Sequence, residues 1–200
     1  MAFQLGHIEP SPDVFAAVMA TGILSIAADK HHYTTISETL GVLATVGLVV
    51  LVGLVLLAAQ SSKAGGRALW DLADPDVTVR LFTFVAACAV LDSRLAAIKA
   101  VVVILGITAL VSWISLAALT ARNMAANSWT ALRDRAHGAW ELGSVGTSGL
   151  AIVATQVARH TTQHWWLAVT VPVWVFGLCV YVLMTWLILW RAVAERQHID

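Results

Sequence analysis

Three stretches of this chain are free of charge over lengths that a soluble core does not call for. Thr39–Ala59 runs 21 residues without a charged side chain, Ala100–Thr120 another 21, and Trp165–Trp190 runs 26. At about 1.5 Å of rise per residue, a 21-residue helix is about 32 Å long and crosses a hydrocarbon layer of about 30 Å. In hydrocarbon every backbone polar group must be satisfied within the protein, and a helix does this residue by residue. Composition agrees: of 200 residues, 59% are hydrophobic and 12% charged, with mean hydropathy +0.80. A soluble domain carries about 25% charged residues. Twelve basic and twelve acidic residues cancel, leaving no basic field for nucleic acid and excluding a disordered chain. Cys88 and Cys179 lie inside apolar runs, which excludes a disulfide scaffold. No basic segment precedes the first apolar stretch, so no cleavable signal peptide is expected. The fold class is an all-α integral membrane protein.

Three shorter segments complete a pattern. Val14–Ala28 opens after Pro10, Pro12 and Asp13, residues that start helices. Val77–Leu91 follows Asp74-Pro75-Asp76 and stops before Asp92 and Arg94. Gly138–Ala158 contains Glu141, Thr147, Ser148, Thr155 and Gln156, with glycines at 138, 143, 146 and 149. The expectation is one transmembrane domain over 1–200, with helices at about 14–28, 39–59, 77–91, 100–120, 138–158 and 165–190. The odd helices are rich in Ala, Gly, Ser and Thr, which suits close packing or a polar path. The even helices are rich in Val, Leu, Ile and Trp, which suits lipid. This reads as one helical hairpin used three times, odd helices inside and even helices facing lipid, as in transporters and channels built from repeats.

Cations suggest an orientation. With six spans, Lys63, Arg67, Arg80, Arg122, Arg133, Arg135, Arg191 and Arg196 share a side with both termini. The other side holds Lys30, Arg94, Lys99 and Arg159. The positive-inside rule then predicts cytoplasmic termini in an inner (plasma) membrane, with Trp165 and Trp166 at the outer interface and Trp140 and Trp190 at the inner one.

Polar groups inside a membrane need a partner or a water-filled cavity. Thr21 and Ser25 share a face of the first helix, Thr83 lies in the third, and Thr147, Ser148, Thr155 and Gln156 in the fifth. Neutral hydroxyls and amides can solvate an anion in transit without trapping it. Equally, Ser and Thr can bond back to helix carbonyls while glycines let helices pack closely. Glu141 is either a gating or proton-coupling carboxylate or a complement to its helix N-terminus. Asp92 and Arg94 are expected to form a structural ion pair, with each other or with a neighbour. His31, His32, His160 and His164 fall in loops of one side, without the spacing of a metal site, and none is assigned.

Gly146-Thr147-Ser148-Gly149 resembles the serine motif of rhomboid intramembrane proteases. That chemistry needs a histidine base within reach of Ser148. The sixth helix holds no histidine, so the enzyme reading is kept only as an alternative to a non-enzymatic one.

Pro12-Asp13-Val14-Phe15-Ala16-Ala17-Val18-Met19-Ala20-Thr21-Gly22-Ile23-Leu24-Ser25 resembles the first helix of the tellurite-resistance/dicarboxylate transporter family. That family includes malate permeases, sulfite exporters and plant slow anion channels. Asp74-Pro75 leading into Phe82-Thr83-Phe84-Val85 resembles its third helix. Gly138-Ala139-Trp140, followed by Val153-Ala154-Thr155-Gln156, resembles its fifth. The resemblance implies five hairpins around a central pore lined by odd helices, in a homotrimer with one pore per subunit. The chain, ending at Asp200, is expected to cover the first six of ten helices or to be a non-conducting truncated transporter. The ninth helix, where such channels place an occluding phenylalanine, has no counterpart to assign. Candidate pore residues are Phe15, Thr21, Ser25, Thr83, Thr147, Ser148 and Gln156. The implied partners are small anions (C4-dicarboxylates such as malate, sulfite or tellurite) and the bilayer. No cofactor or metal is implied.

Overall fold

The computed structural model describes residues 11–64, 68–161 and 165–196; among them are eight α-helices, a 3-10 turn and no strand. The helices are α1 (Ala16–Lys30), α2 (Thr34–Ala64), α3 (Pro75–Arg80), α4 (Phe82–Arg94), α5 (Lys99–Ala125), α6 (Trp129–Arg135), α7 (Leu142–Thr161) and α8 (Trp165–Arg196), with the 3-10 turn at Gly138–Glu141. By length and composition, α2, α5 and α8 can each cross a membrane.

Local chemistry sets the boundaries. The segment expected as one helix over 77–91 is two helices, α3 and α4, meeting at Leu81. Asp74 caps α3 by accepting from Asp76 N at 3.0 Å, and Pro75 occupies the first turn, where its missing N–H costs nothing. At the break, Phe84 N donates to Leu81 O at 3.0 Å, and the Thr83 hydroxyl takes the Arg80 carbonyl at 2.9 Å. The segment expected from 138 likewise begins as a 3-10 turn, and α7 starts at Leu142. Before α1, Ser11 bonds the Asp13 carboxylate within a turn; Pro10 lies outside the described residues. The tight α1–α2 connection places His32 at φ 63°, the left-handed region.

Packing sorts the helices into two layers. In the inner row α1 contacts α4 and α4 contacts α7. Outside it, α2 covers α1, α5 covers α4 and α7, and α8 covers α7. Small residues make the inner row possible, because they let backbones approach closely. A Cβ on Gly146 would stand 2.9 Å from the Phe82 backbone oxygen, and one on Gly149 would stand 3.0 Å from Ala89 Cβ. A Cβ on Gly22 would meet Val90 Cγ1 at 2.6 Å. Around α4 the core closes on nearly every side, with Val85, Ala87, Cys88 and Ala89 fully buried. The outer helices keep Val49, Leu57, Ile104, Ile107, Val171 and Leu189 exposed, a surface suited to lipid tails.

The short helix α6 lies against α8. Ser128 caps it through Ala131 N at 3.2 Å, and the Arg133 guanidinium stands 5.1 Å from the Trp190 ring centroid, over its face. Arg191 Nη1 donates to the Ala136 carbonyl at 3.0 Å, fixing the chain just before the 3-10 turn.

Candidate functional site

An open groove of about 640 Å³ runs between α1, α4, α7 and α8. Its walls are mainly apolar, with Met19 and Ile23 from α1, Ala86 and Ala89 from α4, Ile152 from α7, and Trp174 from α8. Its polar groups are the hydroxyls of Ser93, Ser144, Ser148 and Tyr181 and the ammonium of Lys30. Among the described residues, none that lines it is acidic. Hydroxyls and an ammonium, with no carboxylate among the described lining residues, make a surface that accepts negative charge more readily than positive.

Ser148 reaches this groove because α7 and α8 pack closely where Gly177 has no side chain; a Cβ there would stand 2.7 Å from Ser148 Oγ. Most hydroxyls on these helices bond back to the carbonyl four residues earlier, as Thr147 does to Gly143 and Thr155 to Ala151, each at 2.8 Å. Among the described residues the Ser148 hydroxyl makes no such bond, so the helix does not take up its donor. No histidine among them bonds it either, and the base required by the protease reading is not in place there. His164 lies outside the described residues.

The other candidates occupy different places. Phe15 is buried beneath the inner row, edge-on to Phe84 with ring centroids 4.9 Å apart. Thr21 is half-buried and donates to the Ala17 carbonyl at 2.8 Å. Ser25, fully buried, donates to the Ser37 carbonyl and accepts from Arg94 Nε, both at 2.7 Å. Thr83 is buried at the α3–α4 break. Thr147 is buried and accepts from Trp113 Nε1 of α5 at 3.1 Å. Gln156 is buried behind the groove, with Nε2 donating to Ser93 Oγ at 3.3 Å. Glu141 ends the 3-10 turn; its Oε1 accepts from Thr185 Oγ1 at 2.7 Å, and its Oε2 is buried without a partner.

The expected ion pair of Asp92 with Arg94 is not formed. Neighbours two apart on a helix point to different faces. Arg94 turns to Ser25, while both carboxylate oxygens of Asp92 are buried without a hydrogen-bond partner.

Sequence reasoning missed Ser93, Ser144, Tyr181 and Lys30 as groove residues. Ser144 was within reach of a helical argument, since it precedes Ser148 by four residues and so shares its face. Ser93 follows Ala86 and Ala89 at helical spacing, a small-residue stripe that reads equally well as packing. Lys30 closes α1, and only the α1–α4 contact brings it to the rim.

No curated protein and no solved structure matches the chain. The family model described as voltage-dependent anion channel matches residues 10–198. A two-layer helical protein with apolar outer faces, a groove free of acidic residues and this match is a multi-pass membrane protein that belongs to the voltage-dependent anion channel family.

Proposed function

We propose that the chain carries small anions along the concave face of α1, α4 and α7, through the groove that Ser148 lines. The observation that carries this reading is the groove's lining: four hydroxyls and an ammonium, with no acidic residue among the described ones. Family membership supports an anion as the solute. C4-dicarboxylates such as malate, sulfite and tellurite are the proposed substrates. In this reading Ser148 contacts the anion. Phe15, Ser25 and Gln156 act from behind it, tying α1 to α4 and α4 to α7; Thr147 ties α7 to α5, and Thr21 and Thr83 bond within their own segments. Glu141 acts as a gate through its bond to Thr185, which joins the start of α7 to α8. Assembly as a homotrimer in the plasma membrane, with cytoplasmic termini, belongs to the same proposal.

The test is anion flux from proteoliposomes containing these 200 residues, with malate, chloride and sulfite offered separately. Ser148→Leu fills the groove and removes the hydroxyl, and a fall in flux of at least about tenfold is expected. Flux equal to that of the unaltered chain, from equally well folded protein, would place the pathway elsewhere.

A further inference from the structure

We propose that His137 is a proton-operated latch between the α3–α4 break and the start of α7. His137 lies in the link between α6 and the 3-10 turn, and its Nε2 faces two groups at once. Arg80 Nη2 is 3.0 Å away and Asp76 Oδ1 is 3.1 Å away. These neighbours make opposite demands, because a guanidinium only donates and a carboxylate only accepts. A neutral ring with its proton on Nδ1 accepts from Arg80. A protonated ring donates to Asp76 and turns a like charge toward Arg80. One nitrogen cannot satisfy both: with Nδ1, buried without a partner, holding the neutral ring's proton, Nε2 offers a lone pair to Arg80, and a second proton turns it to Asp76.

The surroundings leave this choice to His137. Asp76 is held independently, its Oδ2 paired with Arg80 Nε at 3.0 Å and its Oδ1 accepting from Trp140 Nε1 at 3.2 Å. The other charged groups nearby are engaged elsewhere. Asp74 pairs with Arg135 at 3.5 Å and Asp134 with Arg133 at 2.7 Å. Glu141 accepts from Thr185 at 2.7 Å, and Arg191 donates to the Ala136 carbonyl at 3.0 Å. Asp76 and Arg80 are therefore the two charges between which the ring decides.

The position gives the choice mechanical consequence. Arg80 is the last residue of α3, and its carbonyl receives the Thr83 hydroxyl at the break. Trp140, fully buried, leads into α7 and is tied to the same carboxylate. Protonation moves the ring's bond from Arg80 Nη2 to Asp76 Oδ1, one turn away on the same helix, and leaves that guanidinium nitrogen at the α3–α4 break without its acceptor. Of the three side chains only the imidazole can be donor or acceptor at the same nitrogen, so the ring is the member that switches. It is independent of what the groove carries.

The test uses the full chain in lipid nanodiscs between about pH 8 and pH 5.5. Nitrogen chemical shifts of labelled histidine are expected to show His137 Nε2 unprotonated at the upper limit. The Trp140 indole N–H resonance is expected to move as the ring gains its proton, because Asp76 Oδ1 then accepts from both the indole and the ring. His137→Gln is expected to remove this movement. A proton already on Nε2 at the upper limit, or an equal movement in His137→Gln, would overturn the latch. Should that variant fail to fold, the nitrogen shifts of the unaltered chain still decide.

Discussion

Arg94 Nε donates to the Ser25 hydroxyl at 2.7 Å, and that hydroxyl donates in turn to the Ser37 carbonyl, so α1, α2 and α4 meet on one oxygen. The guanidinium fits because residue 41 is glycine; a Cβ there would stand 2.9 Å from Arg94 Nε. Ser25→Ala removes the shared oxygen and leaves a half-buried cation short of an acceptor, a loss of about 1–3 kcal/mol. A lower melting midpoint in detergent is the expected result, and an unchanged one would mean that water replaces the hydroxyl without loss.

The α4–α7 contact depends on Gly146 lying against the Phe82 backbone. Gly146→Val must push the two helices apart, at about 1–3 kcal/mol for overpacking, more where backbone blocks relaxation. Gly53, with open space around its Cβ position, serves as the comparison. Gly53→Val is expected to leave the melting midpoint close to that of the unaltered chain, and a similar fall in both variants would deny the close approach.

Trp113 reaches from the outer layer to bond Thr147 in the inner one at 3.1 Å. Thr147→Val keeps the shape and removes the acceptor, so the indole N–H loses its bond at a cost of about 1 kcal/mol. Thr147→Ser keeps the oxygen and is expected to preserve the bond. Ultraviolet resonance Raman of the Trp113 indole reads the difference; the same spectrum in both variants would show that the bond is absent.

His32 holds a left-handed backbone that a residue without Cβ adopts freely. His32→Gly is expected to raise stability by about 0.5–1 kcal/mol or to leave it unchanged, since glycine also loosens the unfolded chain. His32→Val is expected to destabilise by about 1–3 kcal/mol, because a β-branched residue resists this region. Melting midpoints of the two variants should therefore fall on opposite sides, or Val alone should fall.

Much of the architecture was legible in the chain because membranes impose a simple code. Uncharged runs of Val and Leu mark helices that meet lipid, and the small residues of Gly143, Gly146 and Gly149 mark one that meets protein. The break at Leu81 was harder to see. Asp74-Pro75 announces a helix start, but a second start at Phe82 rests on Thr83 taking the Arg80 carbonyl, and a threonine within an apolar run gives no sign of that. The hydroxyls share this ambiguity. Thr147 and Ser148 are adjacent and chemically alike, yet one is buried against Trp113 and the other lines the groove.

The sequence by itself determined that this is a helical membrane protein of inner and outer layers and which family it resembles, since apolar length and small-residue content act locally and add along the chain. Tertiary structure decided which polar groups are satisfied and which are left open. Ser25, Arg94 and Ser37 come from three helices, and Asp76, Arg80 and His137 from two elements more than fifty residues apart. Hydrogen bonds are directional and short, so a rotation of one helix by a single residue reassigns every partner, and no spacing within one helix records what its neighbour presents.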